Sequence, residues 1–419
     1  MSGVPSAAAA RIADWMVECA LGSASAAEAF GGLCERLRDE GVQVDRGQLS
    51  FSTLHPLHSG SGATWTIDGG LELVDYAHDD GKVDDGWMNS PFRHMIVTKT
   101  FRLRRRLVGP TAMLDFPMLR TLKAAGLADY LGLLCGFDSF LATPDERDDP
   151  ASSVSGLACS FSTARPSGFS DLEVETIQWL LRPLGVVVKM ADQRQIAVNL
   201  ARCYIGREAG PRVLGGAIRR GDFDSTEAVV WLSDLRRSTE MSMSMPREAF
   251  LETLNAFFDR TAGAVEEEGG ETLSFIGDAS LAIFPIEALG VEGARRAALR
   301  AARRADDALA RYSDERAAAG RSPLGWSVAL HAGTLEYGNI GSLGRHSWTA
   351  IGPVVNETAR LEGTTKLTGE RIVASRAFIA PLNEPWRPLG AFDLPGVPQA
   401  FEVFAPPTPV GVEREEMTA

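Results

Sequence analysis

The stretch Ala228-Val-Val-Trp-Leu-Ser-Asp-Leu-Arg-Arg-Ser-Thr239 decides the reading of this chain. Its apolar run from Ala228 to Leu232 predicts a buried strand, and Ser233-Asp234 puts a carboxylate at the strand's tip. Downstream, residues 247–268 carry Phe250, Leu254, Phe257, Phe258 and Val265 at helical spacing and stop at Gly269-Gly270. Two strands follow, ETLSFI and LAIFP, joined by Gly277-Asp278, so a hairpin carries a second carboxylate at its turn. Then come a helix over about 288–319, a strand at 325–331, a Gly-bounded segment at 333–341 and a short strand near 347–351. A helix at about 354–362 and a strand at 371–374 complete the pattern. Strand, helix, hairpin, helix, strand is the ferredoxin-like order. It predicts an α+β fold with its helices on one sheet face.

Upstream, the Gly- and Arg-rich stretch 206–222 reads as a boundary. Before it a helix starts at Ser170, where Glu173 three residues on makes a capping box. Its pattern runs through Leu172, Ile177, Leu180 and Leu181, is interrupted at Pro183 and resumes to about Tyr204. Further upstream, 25–40 reads as a helix, Val42–Leu54 and Val154–Thr163 as strands, and 144–154 as a polar loop. Phe101, Leu103, Arg105 and Leu107 alternate with Arg102, Arg104 and Arg106, a stripe that reads as a solvated strand face in preference to an anion site. Trp15, Trp65, Trp87 and Phe92 read as packing before they read as a ligand pocket.

Composition bounds the function. A chain of 419 residues, 45% apolar, is long enough for two cores. A net charge of −13 argues against a nucleic-acid binder, which would need clustered Lys and Arg. Five scattered cysteines without a CxxC suit a reducing compartment. No run of about 18 apolar residues predicts a membrane span. The opening segment carries Asp14 and Glu18 within its apolar stretch and reads as an amphipathic helix, not a signal peptide. The expected location is the cytoplasm.

Asp234 and Asp278 sit at strand ends flanking one helix, so neighbouring strands would bring both into one corner. Such a pair can hold divalent ions together with substrate phosphate oxygens. Aspartates at turns are usually only turn formers, and the surrounding sequence decides between the two. VVWLSDLRRST, GGETLSFIGDASLAIF and VALHAGTLEYGNIGSLGRHSWTAIGPVVNETARL occur in this order. Together they resemble the catalytic motifs of class III adenylate and guanylate cyclases over about residues 226–380.

The resemblance implies that Asp234 and Asp278 carry two Mg²⁺ (or Mn²⁺) and that Leu235, Arg236, Arg237, Ser238 and Thr239 cradle the β- and γ-phosphates. It assigns Asn356 to the ribose and Arg360 to the transition state. Four residues apart on a helix, these two share a face, and a guanidinium can follow charge developing on the α-phosphate. It also implies a homodimer whose active sites are shared between chains.

The sequence departs from the family in places. Ser274 stands where a purine-selecting lysine is expected, with Thr349 at the second selector position. Arg237 and Ser238 replace Gly-Phe of the phosphate turn, and Pro353 replaces an Asp. The expected substrate is ATP, with GTP as the alternative. A non-catalytic nucleotide-binding regulator is the reading from another class, and the joint presence of Asp234, Asp278, Asn356 and Arg360 weighs against it. Residues of about 25–190 weakly resemble a GAF-like sensor. The expected division is a regulatory domain at 1–190, a helical linker at 191–225, the catalytic domain at 226–405 and a tail at 406–419. No nucleic acid is expected as a partner, and the signal sensed at the N-terminal domain is unnamed.

Overall fold

The computed structural model describes residues 6–77, 85–137, 155–397 and 399–407. The whole 144–154 loop and most of the 406–419 tail lie outside them. The chain divides into two compact units, Met1–Leu200 and Ala201–Ala419.

Unit 1 contains α1 (Ala7–Leu21), α2 (Ala26–Asp39), β1 (Arg46–Ser52), β2 (His58–Thr66), β3 (Gly70–Ala77), α3 (Asp85–Met88) and α4 (Pro91–Val97). These are followed by β4 (Arg102–Arg106), α5 (Pro117–Ala124), β5 (Asp129–Gly136), β6 (Gly156–Thr163) and α6 (Asp171–Ile205), whose residues from Ala201 on belong to unit 2. Its strands form one antiparallel sheet in the order β3-β2-β1-β6-β5-β4. One core packs Phe30, Leu33, Leu49, Trp65, Phe161, Ile177 and Leu180 together. A second gathers Phe92, Met95, Leu103, Leu119 and Tyr130, with Trp87 against it. Trp65 and Trp15 therefore serve the first core and Phe92 and Trp87 the second, and Trp15 also lies under the Arg36 guanidinium at 3.7 Å.

Two expectations for unit 1 change. α6 runs 35 residues through Pro183 without a break. Ile177, Leu180, Leu184, Val187, Val188 and Ala191 recur every three or four residues into the core and hold the helix across the missing N–H. Its start is the expected capping box: the Glu173 carboxylate accepts from the Ser170 amide at 2.6 Å, and the Ser170 hydroxyl accepts from the Glu173 amide at 3.3 Å. The arginine stripe is not a solvated face. Arg104 and Arg106 turn onto Asp129, a fully buried carboxylate, at 2.8 and 3.5 Å. Arg105 pairs with Asp115 at 2.8 Å.

Unit 2 continues with α7 (Ala209–Leu214), β7 (Phe223–Arg236), α8 (Ser238–Ser244), α9 (Arg247–Glu267), β8 (Glu271–Ile276), β9 (Ala279–Pro285), α10 (Ile286–Leu289) and α11 (Val291–Ala318). It closes with β10 (Gly325–Gly341), β11 (His346–Ile351), α12 (Pro353–Gly363), α13 (Thr365–Thr368), β12 (Ile372–Ser375), α14 (Arg376–Ile379), β13 (Arg387–Phe392) and β14 (Phe401–Ala405). The sheet order is β13-β14-β12-β10-β7-β9-β8, with β11 folded back on β10. Within it, β10-β7-β9-β8 is the order a strand–helix–hairpin–helix–strand repeat makes when it closes on itself.

The helices cover both faces, not one. Along β10 alternate side chains point to opposite sides. Val328, Leu330 and Ala332 meet a core built with α9 and α11, whereas Ala329 meets a separate cluster that contains Leu361 of α12. α11 enters the first core almost entirely through alanines: Ala294, Ala297, Ala298, Ala301, Ala302 and Ala305. Nor is β10 broken at Gly333, where the sequence reads as a boundary. A Cβ there would stand 3.1 Å from Val354 Cγ2, so the glycine admits α12 closely against an unbroken strand. The stretch read as a linker also has structure of its own: α7 packs into unit 2, with Ala209 buried beside Ala228, Val230 and Tyr337.

Candidate active site

Asp234 is the third residue from the end of β7, paired on one side with Ala279 of β9 and on the other with Ser327 of β10. It lies on the α12 side of the sheet, two residues along from Leu232 and four from Val230. The β8–β9 turn is tied to the same point, because the Leu235 amide donates to the Asp278 carbonyl at 3.2 Å. The Ser233 and Ser280 hydroxyls, 2.7 Å apart, join the two strands one step further in. Asp234 and Asp278 are thereby brought into one corner, close enough for the charge of one to act on the other.

Both carboxylates are half-buried. Burial, and then the negative charge of Asp278 and of Glu362, push the Asp234 carboxyl up to about 7, against the opposing charge of Lys366. Two acids facing each other with a third behind them make a concentrated negative site. Its donors are all oxygens, the set that suits Mg²⁺ or Mn²⁺. A divalent ion fits here because it would relieve the repulsion that the fold imposes.

The turn that follows is left-handed at Arg237, with φ 61° and ψ 23°. The position does call for positive φ, as replacement of a glycine suggests, and an arginine adopts it at a cost of about 1–2 kcal/mol. The Arg237 side chain turns outward to Glu240 at 2.8 Å. Ser238 turns inward, its hydroxyl donating to Asp278 Oδ2. Leu235 is buried in the core, and Arg236 donates to the carbonyls of Thr365 and Glu370 at 3.0 and 2.9 Å. Of the phosphate-turn side chains, then, Leu235 and Arg236 are committed to the fold, while Thr239 is exposed at the start of α8.

Ser274 lies on β8 beside a register shift between Thr272 and Ser274, paired with Leu281. Thr349 lies on β11 opposite Gly338, and β11 approaches β8, so the two selector positions occupy neighbouring strands. Both side chains are half-exposed.

Asn356 and Arg360 share a face of α12, as their spacing predicts. That face is not the one that reaches Asp234. Glu362, two residues beyond Arg360, points back into the sheet, where it accepts from the Ser327 hydroxyl at 2.7 Å and from Thr365 at 3.2 Å. At 3.6 residues per turn, a step of two residues is more than half a turn, so Arg360 is directed away. Its guanidinium lies over Gly396, with no acidic partner among the described residues. Within one chain the structure joins the two aspartates and joins Asn356 to Arg360, but it does not join the pairs. Glu362 and Lys366 escaped sequence reading, because nothing in their spacing separates them from an ordinary helix surface.

No protein-family model matches the chain. The chain is 30% identical over 172 residues to an adenylate cyclase of Anabaena cylindrica, covering 40% of this chain and 33% of that protein. It is 27% identical over 180 residues to adenylate cyclase 1 of Rhizobium meliloti (strain 1021), covering 42% of this chain and 27% of that one. The matches thus span a third or less of these relatives' length. Among solved structures, the adenylyl cyclase CyaB from P. aeruginosa aligns with a TM-score of 0.40 at 23% identity, over 43% of this chain and 94% of that one. The guanylyl cyclase Cya2 aligns at 0.39 and 25%, over 43% and 91%. Two relatives of the chain are thus named adenylate cyclases, and its structural neighbours include both adenylyl and guanylyl cyclases. Among the described residues, no helix is long and apolar enough to cross a membrane.

Proposed function

We propose that unit 2 is a nucleotidyl cyclase that converts ATP to 3′,5′-cyclic AMP and pyrophosphate, working as a homodimer with active sites shared between chains. The observation that carries this reading is the meeting of Asp234 and Asp278 on one face, with Asn356 and Arg360 presented on another. A second protomer would supply the missing half of each site.

Two Mg²⁺ or Mn²⁺ ions, held by Asp234 and Asp278, would neutralise phosphate charge and make the ribose hydroxyl more acidic. The chain's own residues position the rest. Backbone amides at the start of α8, Arg237 to Thr239, would face the terminal phosphates. Asn356 orients the ribose so that its 3′-oxygen stands in line with the departing pyrophosphate. Arg360, without an acidic partner among the described residues, meets the charge that develops on the α-phosphate as the 3′-oxygen bond forms and the bond to pyrophosphate breaks. Ser274 and Thr349 meet the purine edge. A hydroxyl can donate or accept, so this pair suits weak discrimination, and GTP is the alternative substrate. Unit 1 is read as a GAF-like sensor acting on unit 2, its signal a small molecule or a protein.

The test is incubation of the purified full chain with ATP or GTP and Mn²⁺ or Mg²⁺, followed by analysis for cyclic product. Absence of cyclic product in every combination would leave a nucleotide-binding regulator. For the shared site, Asp234→Ala and Arg360→Ala should each be inactive alone and regain partial activity when mixed, since one site of the heterodimer is whole. Heterodimers that form yet stay inactive would sink the shared-site model.

A further inference from the structure

β8 is the outermost strand of its sheet, paired with β9 alone and shifted in register between Thr272 and Ser274. An edge strand with an irregular ladder is weakly fixed by its own hydrogen bonds. Yet it carries Ser274 and, at its end, the turn with Asp278. At about 3.3 Å per residue its six residues span roughly 20 Å. What fixes the far end is Glu271, only 5% exposed and set at the rim of the core formed by Ala209, Tyr337 and Trp348.

A carboxylate buried beside apolar residues is costly unless it is ligated. Glu271 is ligated by the segment that joins α6 to α7. Its Oε1 accepts from the Glu208 amide at 3.1 Å, and the carboxylate also meets the Ala209 amide and the Tyr337 hydroxyl. Gly206 holds the chain there at φ 122°, and a Cβ on it would stand 3.1 Å from the same oxygen. The junction is thus shaped around this one side chain, which the site described above does not use.

We propose that Glu271 is a positioning residue: it locks the start of β8 to the α6–α7 junction, and through β8 it sets the place of Asp278. Its effect on catalysis rests on the cyclase reading, whereas the coupling itself rests on geometry alone. A displacement of the junction moves the turn at Asp278, so a change at the end of α6 reaches the acid pair without any contact between them.

The test uses the full chain carrying Glu271→Leu, with Glu271→Gln and Tyr337→Phe as gentler variants. Three quantities are read: amide exchange of residues 276–280, Mn²⁺ binding by calorimetry, and kcat and KM of the cyclase. Losing a charge-assisted anchor should speed exchange at the turn, weaken Mn²⁺ binding and lower kcat by about tenfold each, with KM nearly unchanged. Glu271→Gln, which still accepts hydrogen bonds, should recover most of each loss. Faster exchange confined to 206–214, with the turn and Mn²⁺ binding unchanged, would overturn the proposal. If Glu271→Leu does not fold, an unchanged turn and unchanged Mn²⁺ binding in Tyr337→Phe overturn it equally. Should the wild-type chain make no cyclic product, the cyclase reading falls, and exchange and Mn²⁺ binding still decide the coupling.

Discussion

In unit 1 the buried Asp129 receives Arg104, Arg106 and the Phe169 amide on Oδ2, the last at 3.0 Å, and the Tyr130 amide on Oδ1 at 3.1 Å, so that each oxygen it hides from water is answered. In unit 2 the half-buried Asp234 faces two further acids, Asp278 and Glu362, with Lys366 as the opposing charge. One arrangement closes a carboxylate into the fold, and the other leaves charge for something else to neutralise. The contrast separates a structural acid from a candidate ligand more sharply than burial does. Burial alone would have pointed to Asp129.

The sharpest way to break the contrast is to remove each acid in turn. Asp234→Ala or Asp278→Ala should lower cyclase activity by at least about three orders of magnitude, roughly 4 kcal/mol. The melting temperature of the metal-free protein should hold or rise, because repulsion is relieved. Activity above a tenth of wild type in either variant would end the two-metal assignment. Asp129→Ala should do the reverse. It strands two guanidinium groups against a closed site and should cost about 3 kcal/mol of stability in urea unfolding. A chain as stable as wild type would show the Asp129 cluster to be dispensable.

Ser274→Lys places an ammonium on β8, four residues before Asp278. It should raise the ATP over GTP ratio of kcat/KM by about one to two powers of ten, the worth of a charge-assisted hydrogen bond. An unchanged ratio in a folded enzyme would remove Ser274 from base reading, as would a wild type that already prefers ATP by more than about a thousandfold. The smallest effect concerns His331, whose Nε2 lies 2.9 Å from Glu357. Burial pushes its imidazole below the ordinary 6.5, with Glu357 partly opposing. The folded state therefore favours the neutral ring. Its contribution is whole above pH 6.5 and is lost as pH falls through the lowered value. His331→Gln should flatten the fall in melting temperature from pH 7 to pH 5 by about 2 °C. An unchanged slope would mean that another group sets it.

Much of the candidate site was legible because its signals are local. An apolar run that ends in Ser-Asp, a Gly-Asp turn between two short strands and a four-residue step on a helix each lie within a few consecutive residues. What escaped depends on partners distant in sequence. Arg104 and Arg106 alternate as a wet strand face would, and only the fold brings Asp129 beneath them. Glu271 reads as the first residue of a strand until α7 packs over it. Gly333 punctuates the sequence, yet β10 runs through it, since a glycine admitting a close neighbour and a glycine ending a strand look alike in one dimension. The two closing strands, β13 and β14, were missed because segments of six and five residues give too few alternations to count.

The alanine face of α11 has a consequence for how unit 2 can vary. Leucine or methionine in a core can answer a neighbour's change by turning about a side-chain bond, but alanine has no such bond to turn. Where Ala297, Ala298, Ala301, Ala302 and Ala305 meet the sheet, the helix brings methyl groups that cannot turn aside, so its distance from the strands is set by its backbone and by strand side chains such as Trp231 and Phe284. An added methyl group has to be absorbed by moving a whole helix or by opening the strands beside it. That interface should therefore admit the fewest residue types of any buried surface in the unit. It behaves as a fixed spacer from which β7 and β9, and so both aspartates, take their level.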